Sequence, residues 1–340
     1  MTSIDLSAIR RILLVRLTSF GDVVRISGLP AALRLACPKA EITIVTDQGL
    51  GALFEAAPEI DKLILNRRQR LPATWHQARA ALREFRRDGG FDLAIDLQGR
   101  PASAVWVYAS GAAIKAGRGG FRPGWRFTQA TNYQVSDTAE GAAILERLGI
   151  RVIDPAPVLH TTAAAEAAVE SVLREAGLPA EGFLLVNPFS RWPTKAWPLT
   201  RYAELLPQLR QEIDIPIAIT AGQSEAAEAA RLVEAVPAGT AISLAGRLDL
   251  AQLLALLRRA RLVLTGDSGP MHAADALSTK VVALFGPTWP ERAGPWRKNQ
   301  TVIQRWRSPR YHAYRQPESA EGMAAISVDE VRAAVMAALG

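Results

Sequence analysis

From Leu262 to Trp296 the chain runs strand, tight loop, helix, strand, loop, an order that points to a parallel α/β sheet. Leu262–Thr265 is an apolar β run broken by Gly266-Asp267-Ser268-Gly269. Ser268 suits a helix N-cap and Pro270 the first helical turn. The pattern predicts a helix to about Leu277, then a buried strand at Lys280–Phe285. A strand feeding a glycine-containing loop and a helix start gathers unbonded N–H groups, which favour an anion such as a diphosphate. Gly269 would permit positive φ or a close backbone approach, and His272 is placed to donate to a phosphate oxygen. Taken alone, the stretch also reads as an ordinary capped strand-to-helix turn. A second constrained loop, Gly286-Pro287-Thr288-Trp289-Pro290, follows at the next strand end. Adjacent loops of this kind build a sugar-nucleotide pocket at the carboxyl edge of a parallel sheet.

The same alternation fills the chain. Arg11–Leu17 is the first strand, Thr18–Asp22 a loop and Val23–Ala36 a helix. Asp22 therefore lies at a sheet's carboxyl edge, where a helix dipole stabilises a carboxylate. Strands follow at Glu41–Thr46, Lys62–Leu65, Phe91–Leu97 and Ala112–Gly117, with an amphipathic helix at Trp75–Arg87. Arg151–Ala163, with two prolines, reads as a linker. A second series opens with the strand Phe183–Asn187 and the loop Pro188–Trp197, which carries Ser190, Arg191 and Lys195. The loop Ala221–Glu225 opens another helix, and a terminal helix is expected at Ser327–Leu339. In 340 residues this argues two doubly wound α/β domains.

Charge is uneven. The net is +7, and residues 1–150 hold 20 Lys/Arg against 14 Asp/Glu. Within Asp61–Arg126 the counts are 13 and 5, a patch suited to phospholipid headgroups, a phosphorylated glycolipid or nucleic acid, or merely an arginine-rich solvated face. A lone cysteine, Cys37, excludes a disulfide framework. Four scattered histidines form no zinc-type cluster, and no Asp-x-Asp motif occurs, so no metal site is expected. Met1–Arg11 lacks the apolar core of a signal peptide, and Ala102–Ile114 is too short to span a bilayer, which needs about 20 residues. No Gly-x-Gly-x-x-Gly follows either domain's first strand, which disfavours a dehydrogenase.

Several motifs occur together in a defined order: Ile12–Asp22 (ILLVRLTSFGD), Phe91–Gly99 (FDLAIDLQG), Lys195–Pro198 (KAWP), Gly222…Glu225, Leu244–Gly246 (LAG), Asp267–His272 (DSGPMH) and Phe285–Thr288 (FGPT). In this set and order the chain resembles glycosyltransferase family 9, the ADP-heptose:lipopolysaccharide heptosyltransferases. The resemblance implies a GT-B fold, α/β, with two Rossmann-like domains facing a cleft. Residues 1–160 would bind the acceptor, 161–320 the nucleotide sugar, and a helix in 321–340 would pack back on the first domain. It further implies Asp22 as catalytic base and Ser190 and Lys195 on the diphosphate, Lys195 serving catalysis as well. Glu225 would hold the adenosine ribose, and Asp267, Ser268, Gly269 and His272 the donor sugar and phosphates. Arg25 departs from the family, standing where many relatives carry histidine. Thr138–Gly141 lacks the usual His-x-x-Glu-Arg opening, and Phe189–Trp192 lacks the common Thr-Thr or Ser-Ser pair.

The expected reaction displaces ADP from ADP-heptose with inversion, without a cofactor or metal ion, onto inner-core lipopolysaccharide. It needs a base for the acceptor hydroxyl and positive character at the leaving diphosphate. Arg67, Arg68, Arg100, Arg118 and Arg122, all in loops after strands, are the expected acceptor contacts, since arginine matches phosphate and carboxylate in bidentate geometry. A cytoplasmic protein in peripheral contact with the inner membrane, with no nucleic-acid partner, fits this reading. Its competitors are a GT-B-like nucleotide-sugar epimerase and a non-catalytic basic protein binding glycolipid or nucleic acid.

Overall fold

Strands buried on both faces are the framework here. Ile12, Leu13, Leu14 and Val15 are all fully inaccessible, as expected where helices cover both faces of a parallel sheet. The computed structural model describes residues 4–87, 89–118, 129–131, 137–310 and 314–340. The chain divides into two units, Met1–His160 and Thr161–Gly340.

The first unit holds β1 (Arg11–Val15), β2 (Glu41–Asp47), β3 (Lys62–Asn66), β4 (Leu93–Asp96), β5 (Ile114–Arg118) and β6 (Gln129–Thr131). They pair in the order β3-β2-β1-β4-β5-β6, every neighbour parallel. The second holds β7 (Leu184–Asn187), β8 (Ile217–Ile219), β9 (Ile242–Ser243), β10 (Leu262–Gly266), β11 (Val281–Phe285) and β12 (Thr301–Gln304). Their order is β12-β11-β10-β7-β8-β9, again all parallel. Both sheets thus wind outward from their first strand, the Rossmann arrangement in which strand order reverses beside that strand.

Two expectations need correction. The single helix expected over Val23–Ala36 is two, Phe20–Val24 and Leu29–Ala36. Gly28 lies between them against the backbone of Ala156, where a Cβ would come within 1.9 Å of the carbonyl oxygen. The helix expected over Trp75–Arg87 is likewise two, Leu71–Ala81 and Arg83–Arg87. The terminal helix, Val328–Leu339, packs on the sheet of its own unit. Val328, Val331, Val335 and Leu339 join Leu264, Val282, Leu284 and Ile303 in the second unit's core. Their spacing gives one apolar stripe, and the sheet β10-β11-β12 is the surface that stripe covers. Lys280 and Arg261 donate to the carbonyls of Ala338 and Leu339, groups with no partner inside a helix's last turn. Arg122, Phe121 and Trp125 lie outside the described residues.

One ion cluster ties helix Ala163–Glu175 to helix Leu250–Arg259. Glu166 accepts from Arg258 at 2.7 Å, Arg259 at 2.8 Å and Thr161 at 2.6 Å. Burial alone would raise its pKa, but the bonds from Arg258, Thr161 and Arg259 outweigh it and hold the carboxyl at about 2, against an ordinary 4.5. A depressed carboxylate stabilises the fold above its unfolded pKa, and that contribution is lost as pH falls through the folded value. Glu166→Gln should therefore cost about 2 kcal/mol near neutral pH. Denaturant unfolding of both proteins should show the gap closing between pH 4.5 and about 2.

Candidate active site

In the second unit, loops from three neighbouring strands converge on one carboxylate. Asp267 follows β10 and is 6% exposed. Lys195, from the loop after β7, places Nζ 2.7 Å from Asp267 Oδ2, and Thr288, after β11, donates its hydroxyl to the same oxygen at 2.7 Å. The order β11-β10-β7 is what brings these residues together across 93 positions of sequence. Gly266 makes the approach possible: a Cβ there would meet the carbonyl oxygen of Lys195 at 2.9 Å. Gly269 opens the helix Gly269–Ala276.

Lys195 is held from a second side. Its Nζ lies 4.4 Å from the centre of the Tyr314 ring, a cation–π distance. Trp192 meets that ring edge-on at 5.5 Å, and the Thr194 hydroxyl donates to the Tyr314 carbonyl. The lysine is a fixed, nearly buried cation and not a surface side chain.

Ser268 occupies the N-cap position, yet its side chain makes no capping bond. Its hydroxyl pairs with that of Thr265 at 3.0 Å. The helix start therefore keeps its first-turn N–H groups clear of this hydroxyl, as an anion site requires. His272 is buried in that first turn. Behind it, Asp275 accepts from the backbone N–H of Trp296 at 2.6 Å and from Gln300 at 2.9 Å. Burial pushes the Asp275 carboxyl up, against those bonds and Arg297. Trp289 anchors its loop by donating to the Ser308 carbonyl at 2.8 Å, while the Trp296 side chain is exposed.

Ser190 is half-buried after β7. Glu225 is half-buried after β8, its carboxylate folded over Gly222, where a Cβ would come 2.8 Å from Oε2. β8 is two places from β10, which at the usual strand spacing puts Glu225 roughly 10 Å along the edge from Asp267.

The first unit carries a second carboxylate at its own edge. Asp22 sits in the first turn of helix Phe20–Val24, its side chain 38% exposed. Ser19 donates to it through Oγ at 2.8 Å and N at 3.2 Å. Arg16 and Arg25, both nearly buried, approach at 3.4 and 3.8 Å. Arg25 is thus part of the Asp22 surroundings. Arg16 also donates to the Leu97 carbonyl, and Gln98 accepts from the N–H groups of Leu17 and Thr18 at 2.7 and 3.2 Å. These bonds fasten the loop after β1 to the loop after β4. Asp96 is structural: it accepts from Gln98 N, Gly99 N and Ser103 Oγ, and complete burial raises its pKa despite them.

Arg100 is exposed at the end of β4, next to β1, and Arg67 and Arg68 are exposed beyond β3. The sheet gathers all three with Asp22 on one edge, Arg67 and Arg68 about 10 Å away across β2. Arg68 pairs with Asp47 at 2.6 Å. Arg118 closes β5, and Arg122 is not among the described residues.

Thr288, Arg16 and Tyr314 were not assigned from sequence. Arg16 alone carried a signal there, as a charge inside the apolar run RILLVRL.

With this geometry in place, likeness to known proteins is informative. The description "Glycosyltransferase family 9 (heptosyltransferase)" matches residues 79–323. The chain belongs to that family and is a glycosyltransferase. Lipooligosaccharide heptosyltransferase 2 of Haemophilus ducreyi is 27% identical over 86% of this chain and 88% of that protein. Lipopolysaccharide heptosyltransferase 2 of Escherichia coli is 34% identical, but the match spans little more than a third, 37%, of that relative's length. The crystal structure of a family 9 glycosyl transferase from Veillonella parvula superposes with TM-score 0.85 at 24% identity, covering 99% of each chain. E. coli ADP-heptose lps heptosyltransferase II does so with TM-score 0.80 at 21% identity, covering 97% and 98%. The fold is the GT-B fold of these structures, and membership favours sugar transfer over the epimerase and non-catalytic readings.

Removing one partner of a nearly buried ion pair strands the other charge, at a cost of about 3–5 kcal/mol. Lys195→Met alone should therefore lower unfolding stability markedly, and Lys195→Met with Asp267→Asn should recover most of the loss. A double-mutant cycle in denaturant measures the coupling. Additive losses would show that the pair is not a unit.

Proposed function

We propose that the chain transfers a heptose from ADP-heptose to an inner-core lipopolysaccharide acceptor, with inversion at the anomeric carbon. The single observation that carries this reading is the fixed, nearly buried Lys195 beside Asp267 and an anion-accepting helix start. That is the equipment a departing nucleoside diphosphate needs. Further support comes from family membership and from the likeness to an enzyme described by ADP-heptose.

In the proposed reaction Asp22 takes the proton of the acceptor hydroxyl. That oxygen forms a bond to the anomeric carbon as the bond from carbon to the diphosphate oxygen breaks, and ADP leaves carrying the electron pair. Lys195 and the backbone N–H groups within Ser268–Met271, those of Ser268, Gly269 and Met271, meet the charge that develops on it. Ser190 and His272 add contacts to the phosphates, Asp267 and Gly269 shape the sugar side, and Glu225 binds the ribose hydroxyls. Arg67, Arg68, Arg100, Arg118 and Arg122 take the phosphates and carboxylates of the acceptor. No helix among the described residues is long and apolar enough to cross a membrane. The acceptor would then be met by peripheral contact with the cytoplasmic leaflet.

Asp22→Asn keeps size and removes the base. Turnover should fall roughly 10²–10⁴-fold while ADP affinity stays near wild type. Steady-state kinetics with calorimetry checks both, and near-normal turnover would dismiss Asp22 as the base.

The leaving group is assigned to a lysine, so catalysis is proposed to need no divalent ion. Activity should survive exhaustive chelation by EDTA. Loss that Mg²⁺ or Mn²⁺ restores would assign the diphosphate to a metal instead.

A further inference from the structure

Helices Leu71–Ala81 and Arg83–Arg87 carry a feature that the proposed chemistry leaves unused. Their inner face is core: Ala78 and Leu82 are buried with Phe91, Val105 and Trp106, and Trp75 and Phe85 pack against that cluster. Their outer face presents His76, Arg79, Arg83, Arg86 and Arg87, all exposed. With Trp75 these residues line a shallow, open cup of about 520 Å³. Arg67–Arg87 contains seven arginines and a single acid, Glu84. Arg79 lies 6.0 Å from the Trp75 ring. Two large apolar side chains, Leu65 and Leu71, stand 42% and 44% exposed beside the basic loop at the head of the first helix.

We propose that this helical face is a docking surface for the anionic headgroups of a lipid bilayer. The proposal rests on the reading above that the acceptor is membrane-held, and it names the surface that meets the leaflet. Charge complementarity is the first argument. A planar guanidinium binds a phosphate bidentately, and four arginines around one cup can meet headgroup phosphates together. The apolar neighbours are the second. Leu65 and Leu71 can enter the interfacial layer while the arginines stay at headgroup level. The four arginines lie toward the end of the crossover that leads into β4, so this surface is separate from the loop edge that carries Asp22.

The test is partitioning onto vesicles of phosphatidylcholine alone or with phosphatidylglycerol, across a salt series. The full chain should bind the anionic vesicles only, and more weakly as salt rises. Joint replacement of Arg79, Arg83, Arg86 and Arg87 by alanine should lower the partition coefficient roughly 10²–10³-fold, given the worth of each basic residue near an anionic surface. Replacement of the same four by lysine should retain most of the binding. In the alanine variant, thermal stabilisation by ADP and turnover on a delipidated acceptor should remain unchanged.

Wild-type protein that ignores anionic vesicles would overturn the proposal. Binding that survives the alanine replacements would move the contact elsewhere, overturning this surface while leaving the reaction intact. Equal loss in the lysine and alanine variants would also overturn it. Displacement by inorganic phosphate at far lower ionic strength than by chloride would make the cup a site for the free anion. Preferential binding of a single-stranded oligonucleotide would make the partner a nucleic acid. Failure of the transferase reading would show separately, as absent turnover with vesicle binding preserved.

Discussion

A strand that pairs in parallel must be carried back to its starting end before the next can join, so every loop after a strand leaves the sheet at one edge. That constraint decides where chemistry can be placed. In the second unit Lys195, Asp267 and Thr288 belong to three different strand-to-helix loops and meet because β7, β10 and β11 are neighbours. In the first unit Asp22, Arg100 and Arg67 share an edge for the same reason. The sites need no dedicated scaffolding beyond close backbone approach, supplied at Gly266, and short hydrogen bonds between adjacent loops, supplied by Gln98.

Periodicity and loop composition made the strands legible, and with them the edges. The Asp267 loop and Lys195 were visible as polar interruptions between apolar runs. Side-chain partnerships were not visible. Ser268 has the residue type and position of a cap, but Thr265, three residues earlier, takes its hydroxyl. Thr288 looked like one more residue in a proline-bounded loop; its role depends on the register between β10 and β11, which fixes the distance to Asp267. Helix breaks depended on distant backbone, as at Gly28 against Ala156. The terminal helix had a readable apolar stripe, but the surface it covers is a property of the tertiary fold alone.

The units also treat charge differently. In the second, formal charges meet across elements: Glu166 with Arg258 and Arg259, Lys195 with Asp267, and Arg332 with Glu212. In the first, Arg34 pairs with Asp61 and Arg68 with Asp47 in the same way, but Arg79, Arg83, Arg86 and Arg87 gather on one pair of helices whose other face is core. An arginine-rich surface raises self-repulsion within the compact state, and its field falls off within a Debye length of about 8–10 Å. It can act on a partner only at close range, which suits an anionic surface in direct contact with that face.

The two edge carboxylates are not interchangeable, and their surroundings say which can act on a proton. Asp267 is 6% exposed, and Oδ2 already receives both Lys195 and Thr288. Taking a proton there would disrupt a nearly buried ion pair, whose loss is costly. Asp22 is 38% exposed. Ser19, a residue of its own helix turn, donates to it, and Arg16 and Arg25 approach at 3.4 and 3.8 Å. It is oriented without being enclosed. In the proposed reaction this leaves Asp22 to receive the acceptor's proton and Asp267 to keep Lys195 aimed, since a positioned cation reduces the reorganisation needed as the diphosphate departs.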